Sequence, residues 1–150
     1  MADRVQFELV TPERLLISEP VEMVVVPGTE GDFGVLPGHA LLISTVRPGT
    51  IEVYEGQTVT RRVFVVGGIA EVTPERCTVL ADEAVSPDEL DRAAIEAELQ
   101  TVQGNLPSLR EQVARAADTG RERLLAELHG LERDQAVLQA KLQALAETRR

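Results

Sequence analysis

Three groups of side chains in this 150-residue chain are of types that can do chemistry. Glu30 and Asp32 stand two residues apart in PGTEGDFG, a pair of carboxylates that could work as general acid and general base. Gly28, Gly31 and Gly34 surround them and would suit a phosphate cradle. Cys77, His39 and His129 supply a thiol and two imidazoles. None of the three groups is completed. No nucleophile or metal set accompanies the carboxylates, and the glycines lack both the Gly-Lys-Ser/Thr ending and the strand-to-helix crossover of a phosphate loop. Two scattered histidines are too few for a metal site. A single cysteine between Arg76 and Thr78, in an apolar run, reads as a buried inert thiol, and with no internal disulfide possible it fits a reducing compartment. The chain is therefore expected to be non-catalytic, with no cofactor and no metal, and its function is to be sought in partners.

Charge narrows those partners. The net charge is −10, with 6 Arg against 13 acidic residues in 1–86 and 9 basic against 12 acidic residues in 87–150. Both parts are acidic, and the only aromatic residues are Phe7, Phe33, Tyr54 and Phe64. A nucleic acid would need a concentrated basic face and stacking positions, so it is excluded, whereas a protein or a cationic surface fits. The opening MADRVQFELV has no apolar stretch of signal-peptide length, and nothing later reaches the roughly 18 apolar residues of a bilayer span. A soluble cytosolic protein without direct membrane insertion is expected. One Lys against fourteen Arg points to a GC-rich bacterial genome.

The elements that must position these residues change character once along the chain. In the first part, runs rich in Val, Ile, Leu, Thr and Phe recur at 4–10, 20–26, 41–46, 50–54, 57–66, 68–73 and 76–82. Pro27-Gly28, Pro37-Gly38, Pro48-Gly49, Glu55-Gly56 and Thr73-Pro74-Glu75 separate them with turn chemistry. Val5, Phe7 and Leu9 alternate with Gln6 and Glu8, and Ile51 and Val53 flank Glu52, the period of half-buried strands. Many short strands with frequent turns predict a flattened β-sandwich or barrel over 1–85.

From Ser86 the period becomes helical. Ser86-Pro87-Asp88-Glu89 combines a capping residue, proline at the first helical position and a glutamate three residues after the serine, which predicts a helix over about 87–117. Ile95, Leu99, Val102, Leu106, Leu109, Val113 and Ala116 form one apolar stripe, while Gly104 and Pro107 predict a kink or break at 103–108. Asp118-Thr119-Gly120 resets the phase, with Thr119 and Glu122 as a second capping box, and Leu124, Leu128, Leu131, Gln135, Leu138, Leu142 and Leu145 predict a helix over about 120–148. The fold class is thus β followed by α, the 86–150 arm being an antiparallel two-helix hairpin. Each fully buried leucine would contribute about 1.5–3 kcal/mol.

GDFGVLPGHA at 31–40, RPGTIEVY at 47–54, GGIAEVTPERCTVLAD at 67–82 and the helix opening at 86 resemble, in order and over essentially the whole chain, the epsilon subunit of bacterial F-type ATP synthases. The resemblance implies a non-catalytic rotor subunit of the central stalk, coupling the gamma subunit to the c-ring. Its place would be peripheral, on the cytoplasmic face of the bacterial inner membrane. It further implies that Glu30, Gly31, Asp32 and Phe33 approach the polar loops of the c-ring and that Pro37, Gly38 and His39 lie on the side that meets gamma. In relatives the hairpin binds ATP through a motif reading Ile or Leu, Asp, two variable residues, Arg, Ala. Leu90 and Asp91 match, but Ala94 and Ile95 stand in the arginine and alanine positions, so the motif is degenerate and no phosphate partner is supplied there. Relatives also extend this arm into the alpha/beta catalytic head to restrain ATP hydrolysis, a role for which Arg92, Arg110, Arg115, Arg121 and Arg123 are the candidates. A folded arm that inhibits weakly is expected, from its two apolar stripes and acidic balance. The alternative readings are an oligomeric ligand-binding β-sandwich with a coiled-coil tail, and a hydrolase using Glu30 and Asp32.

Overall fold

The computed structural model describes residues 3–148. The chain divides into two compact units, Met1–Glu89 and Leu90–Arg150, each of which has its own apolar core.

The first unit contains β1 (Val5–Val10), β2 (Leu15–Val21), β3 (Met23–Gly28), β4 (Gly31–Val35), β5 (Leu42–Val46), β6 (Gly49–Glu55), β7 (Thr58–Val65), β8 (Gly68–Val72), β9 (Arg76–Ala81) and β10 (Ala84–Val85). They join in one hydrogen-bonded ladder in the order β10-β7-β6-β3-β5-β8-β9-β1-β2, with β4 added on β3. All of its pairings are antiparallel except β1 with β9, which run parallel from Gln6↔Arg76 to Val10↔Leu80. The ladder curls so that its inward faces share one core. Phe7, Leu9, Val24, Val26, Val35, Ile51, Val65, Ala70, Cys77 and Val79 are fully buried in it. The alternation anticipated at Val5, Phe7 and Leu9, and at Ile51 and Val53, is the alternation observed: these five are buried while Gln6, Glu8 and Glu52 are not.

The strand pattern departs from expectation at β2, β4 and β10, with residues 15–19 of β2 and all of β10 outside every expected run. The single run expected at 20–26 is divided between β2 and β3. Pro20 donates no hydrogen bond, and β2 lies at an end of the ladder, where a proline is tolerated. The glycine-rich stretch at 31–35, read as a turn, is strand β4, because pairing with β3 from Val24↔Val35 to Gly28↔Gly31 supplies the order that its composition does not.

In the second unit, α1 (Arg92–Arg115) and α2 (Asp118–Thr148) form an antiparallel hairpin joined by Ala116 and Ala117. Ile95, Val102, Leu106 and Leu138 are buried between them, with Leu90, Leu99, Leu128, Leu131, Leu142 and Leu145 packed around. The helix does not start at Ser86-Pro87. Pro87–Glu89 makes a single 3-10 turn, closed by Glu89 N–H donating to Ser86 O at 2.9 Å. The α1 cap is Asp91, whose Oδ1 accepts from the N–H groups of Ala93 (3.1 Å) and Ala94 (3.4 Å). A carboxylate meets both the orphan donors and the positive end of the helix dipole. Of the kink or break expected at 103–108, the break is absent: α1 continues through Pro107, held by the burial of Val102 and Leu106 on either side of Gly104. α2 begins at Asp118, with Gly120 and Arg121 N–H both donating to Ala117 O, so Thr119 lies inside the first turn and caps nothing.

Two outcomes follow from the β core. Gly68 has φ +140°, and a Cβ there would lie 2.1 Å from Leu80 O on the neighbouring strand. Gly68→Ala should lower stability by about 3 kcal/mol, read as a fall in the urea midpoint. Burial pushes the Cys77 thiol up to about 12 from the ordinary 9.0, because the folded state disfavours the thiolate. That contribution is whole below pH 9.0 and is lost as pH rises towards about 12. Stability should therefore fall with pH across that window, by about 1.4 kcal/mol per pH unit from this group, and Cys77→Ala should flatten the slope.

Candidate partner-contact surfaces

The turn carrying Glu30 is the tip of the β3–β4 hairpin. Gly31 has φ +138°, and a Cβ on Gly28 would lie 2.8 Å from Gly31 O, so both positions call for glycine. Glu30 and Asp32 are exposed and Phe33 is half-buried, packed against the core. The two carboxylates are not equivalent. Asp32 Oδ1 accepts from Arg47 Nη2 at 2.5 Å, whereas Glu30 makes no ion pair or hydrogen bond among the described residues. Asp32 thus has an internal counter-ion, which the sequence reading did not anticipate. Neither acid lines the 380 Å³ hollow of Glu71, Thr73, Glu75, Arg76 and Thr78. Neither lines the 350 Å³ cleft between Leu9, Arg14, Ile17, Arg62 and Val85. Among the described residues no group of three or more His, Cys, Asp and Glu could hold a metal.

Pro37, Gly38 and His39 lie between β4 and β5. Gly38 has φ +84° and donates its N–H to Pro74 O at 2.8 Å, tying the segment to the β8–β9 turn. His39 N–H donates to Leu36 O at 3.2 Å, and its Nδ1, which must carry the proton, donates to Ala40 O at 2.7 Å. The imidazole is therefore engaged locally.

Around this segment lies a feature that motif reading missed. Leu36, Leu41, Ile43, Ile69, Leu80 and Leu15 are all exposed, with Leu41 at 77% and Ile43 at 74%. The register explains how they gather. Thr45↔Ile69, Ile69↔Leu80, Leu80↔Val10 and Val10↔Leu15 form one row across β5, β8, β9, β1 and β2, on the face opposite the core. Ile43 stands on the same face of β5, two residues before Thr45. Contiguous exposed apolar side chains on a chain of net charge −10 mark a surface made for contact. The signal was present in the failure of strict alternation at Leu41-Leu42-Ile43 and Val79-Leu80-Ala81, but only the register unites it.

On the helical unit, four of the five singled-out arginines already have acidic partners. Arg92 meets Glu96 at 3.6 Å, Arg110 meets Glu132 across the hairpin at 3.4 Å, Arg115 meets Glu111 at 2.7 Å and Arg123 meets Glu127 at 4.0 Å. Such exposed pairs contribute about 0–1 kcal/mol each, so a stronger acidic partner could compete for them. Arg121 is exposed. Leu90 and Asp91 both have structural work, one in the hairpin core and the other as the α1 cap. Among the described residues no helix is long and apolar enough to cross a membrane.

A family model described as the beta-sandwich domain of the ATP synthase delta/epsilon chain matches residues 4–87. An ATP synthase epsilon chain from Rhodospirillum rubrum is 55% identical over 127 residues, 85% of this chain and 94% of that one. One from Maricaulis maris is 42% identical over 146 residues, covering 97% and 96%. The fold is similar to a chain in a cryo-EM structure of the Euglena gracilis mitochondrial ATP synthase (OSCP/F1/c-ring), with TM-score 0.70 and 23% identity over 97% of this chain and 83% of that one. It is also similar to one in the Tetrahymena thermophila mitochondrial ATP synthase central stalk and c-ring, with TM-score 0.62 and 15% identity over 94% and 96%. With a β unit that matches over its length and relatives more than half identical across both units, the chain belongs to the ATP synthase epsilon chain family.

Proposed function

We propose that this chain is the non-catalytic central-stalk subunit that couples gamma to the c-ring of a proton-translocating F-type ATP synthase, peripheral to the membrane on its cytoplasmic side. The observation that carries this reading is the apolar row of Ile69, Leu80, Val10 and Leu15 on the outer face of the sheet, with Ile43 on the same face of β5 and Leu36 and Leu41 also exposed. A subunit that transmits torque needs a rigid surface bound along its length, and a curled sheet with apolar residues on its outer face supplies one. Gamma is assigned to this face and to the Pro37–His39 segment that leads into β5, and the polar loops of the c-ring to the Glu30 hairpin. The two contacts differ in kind: apolar burial gives a lasting joint, and an acidic tip gives orientation towards a cationic loop.

The helical arm is proposed to stay folded and to restrain ATP hydrolysis only weakly at the alpha/beta head. Its apolar residues are used against each other, and four of its arginines, Arg92, Arg110, Arg115 and Arg123, are matched internally by glutamates. Extending it would require a partner that replaces both.

The carrying test is binding of the full-length chain to gamma. Ile43→Glu combined with Ile69→Glu should weaken it by about 100-fold or more, because charges would be desolvated in the contact. Both side chains are exposed, so the stability of the free chain should hardly change. Unchanged affinity would overturn the assignment of this face. For the arm, a chain ending at Glu89 should keep its place in the complex with ATP hydrolysis within about twofold of full length. A large rise would make the arm a strong brake.

A further inference from the structure

The tip of the β3–β4 hairpin is held by more than its own strands. Thr45, Val46 and Arg47, at the end of β5, fasten it through several bonds. Thr29 N–H donates to Thr45 O at 3.1 Å, and the Thr29 and Thr45 hydroxyls meet at 2.9 Å. Arg47 N–H donates to Pro27 O at 2.9 Å, its Nη1 to Gly28 O at 2.6 Å and its Nη2 to Asp32 Oδ1 at 2.5 Å. One guanidinium therefore bridges the two strands of the hairpin, joining a carbonyl on β3 to a carboxylate on β4. A planar fork can reach both acceptors at once, which a point-charge ammonium cannot do with the same geometry. The bridge has two effects. It ties the Thr29-Glu30 tip to the end of β5, and it gives Asp32 an internal counter-ion. Glu30, exposed and without a partner among the described residues, is left as the uncompensated charge of the tip.

We infer that Arg47 is the positioning residue of the hairpin, and that the charge it leaves for recognition of a cationic partner loop is that of Glu30 and not that of Asp32. The recognition half of this inference rests on the reading of the hairpin as the c-ring contact; the positioning half does not. Arg47 touches no partner in this account and acts through the hairpin alone. The acidic pair is thereby divided into one structural and one recognition carboxylate.

The experiment uses the full-length chain and two readouts. In the free chain, amide hydrogen exchange over Gly28–Phe33 measures how firmly the tip is held. Arg47→Gln should speed it by about tenfold, Arg47→Lys by less, and Glu30→Gln not at all, with global unfolding unaltered by the last. In the second readout, affinity for the purified gamma–c-ring assembly is followed against salt. Glu30→Gln should lower affinity about threefold to tenfold and flatten the salt dependence, whereas Asp32→Asn combined with Arg47→Gln, which removes the ion pair without altering the net charge of the tip, should leave the salt slope as it is. Unchanged exchange in Arg47→Gln would overturn the positioning role. Equal loss of salt slope in Glu30→Gln and in the Asp32→Asn, Arg47→Gln double variant would overturn the division of labour. If the unsubstituted chain failed to bind the assembly, the c-ring reading and the recognition role of Glu30 would both fall, and the exchange measurement would still decide the role of Arg47.

Discussion

The parallel pairing of β1 with β9 is the constraint on which the rest of the β unit depends. It joins residues 6–10 to residues 76–80, near opposite ends of the unit, and inserts β1 between β9 and β2. Every strand in between must therefore be curled into the same core. Phe7 and Leu9 from β1 and Cys77 and Val79 from β9 are fully buried as a direct result. A pairing of such sequence separation carries a loop-closure penalty that local turns do not. It is offset by burying many side chains at once, each worth about 1.5–3 kcal/mol. The rigidity required of a mechanical coupling element is a by-product of that closure.

Once the sheet is curled, its two faces have different tasks. The inner face is aliphatic and sealed. The outer face would be expected to be polar throughout, and over β6 and β7 it carries Glu52 and Arg62 in an ion pair at 3.1 Å. Over β5, β8 and β9 it carries Ile43, Ile69 and Leu80 instead. Leaving these in water opposes solubility, which the charge of −10 elsewhere on the chain counters. The arrangement makes sense only if a partner covers the patch.

The hairpin of helices follows a different economy. Its helices bury their stripes on each other, and Arg92, Arg110, Arg115 and Arg123 sit beside glutamates one turn away or across the pair. Pro107 is accommodated because the missing backbone bond is a local loss while Val102 and Leu106 are packed residues on the same stripe. Asp91 shows how a residue with a suggestive motif context can have a plain structural role, since a capping carboxylate at a helix start needs no ligand to account for it.

Much of the chain was legible before any coordinates. Alternation at Val5–Leu9 and Ile51–Val53 requires half-buried strands, the turn pairs separate them, and the two stripes with their phase change require two helices, because each pattern is a local consequence of where side chains point along a strand or a helix. Glu30 and Asp32 could be found as an exposed pair on a turn for the same reason. What lay beyond the sequence is whatever depends on register between distant segments. The strand at Gly31–Val35 exists because β3 pairs with it, the helix cap is Asp91 and not Ser86, and Arg47 and Asp32 meet from 15 residues apart. The apolar row was hidden as well, since Ile69, Leu80, Val10 and Leu15 come together only across four strands. The sequence by itself determined the elements and their buried faces, through local periodicity and turn chemistry. Tertiary structure alone decided which exposed side chains stand together and which charge is already matched, because those are distances set by long-range pairing and by no local pattern.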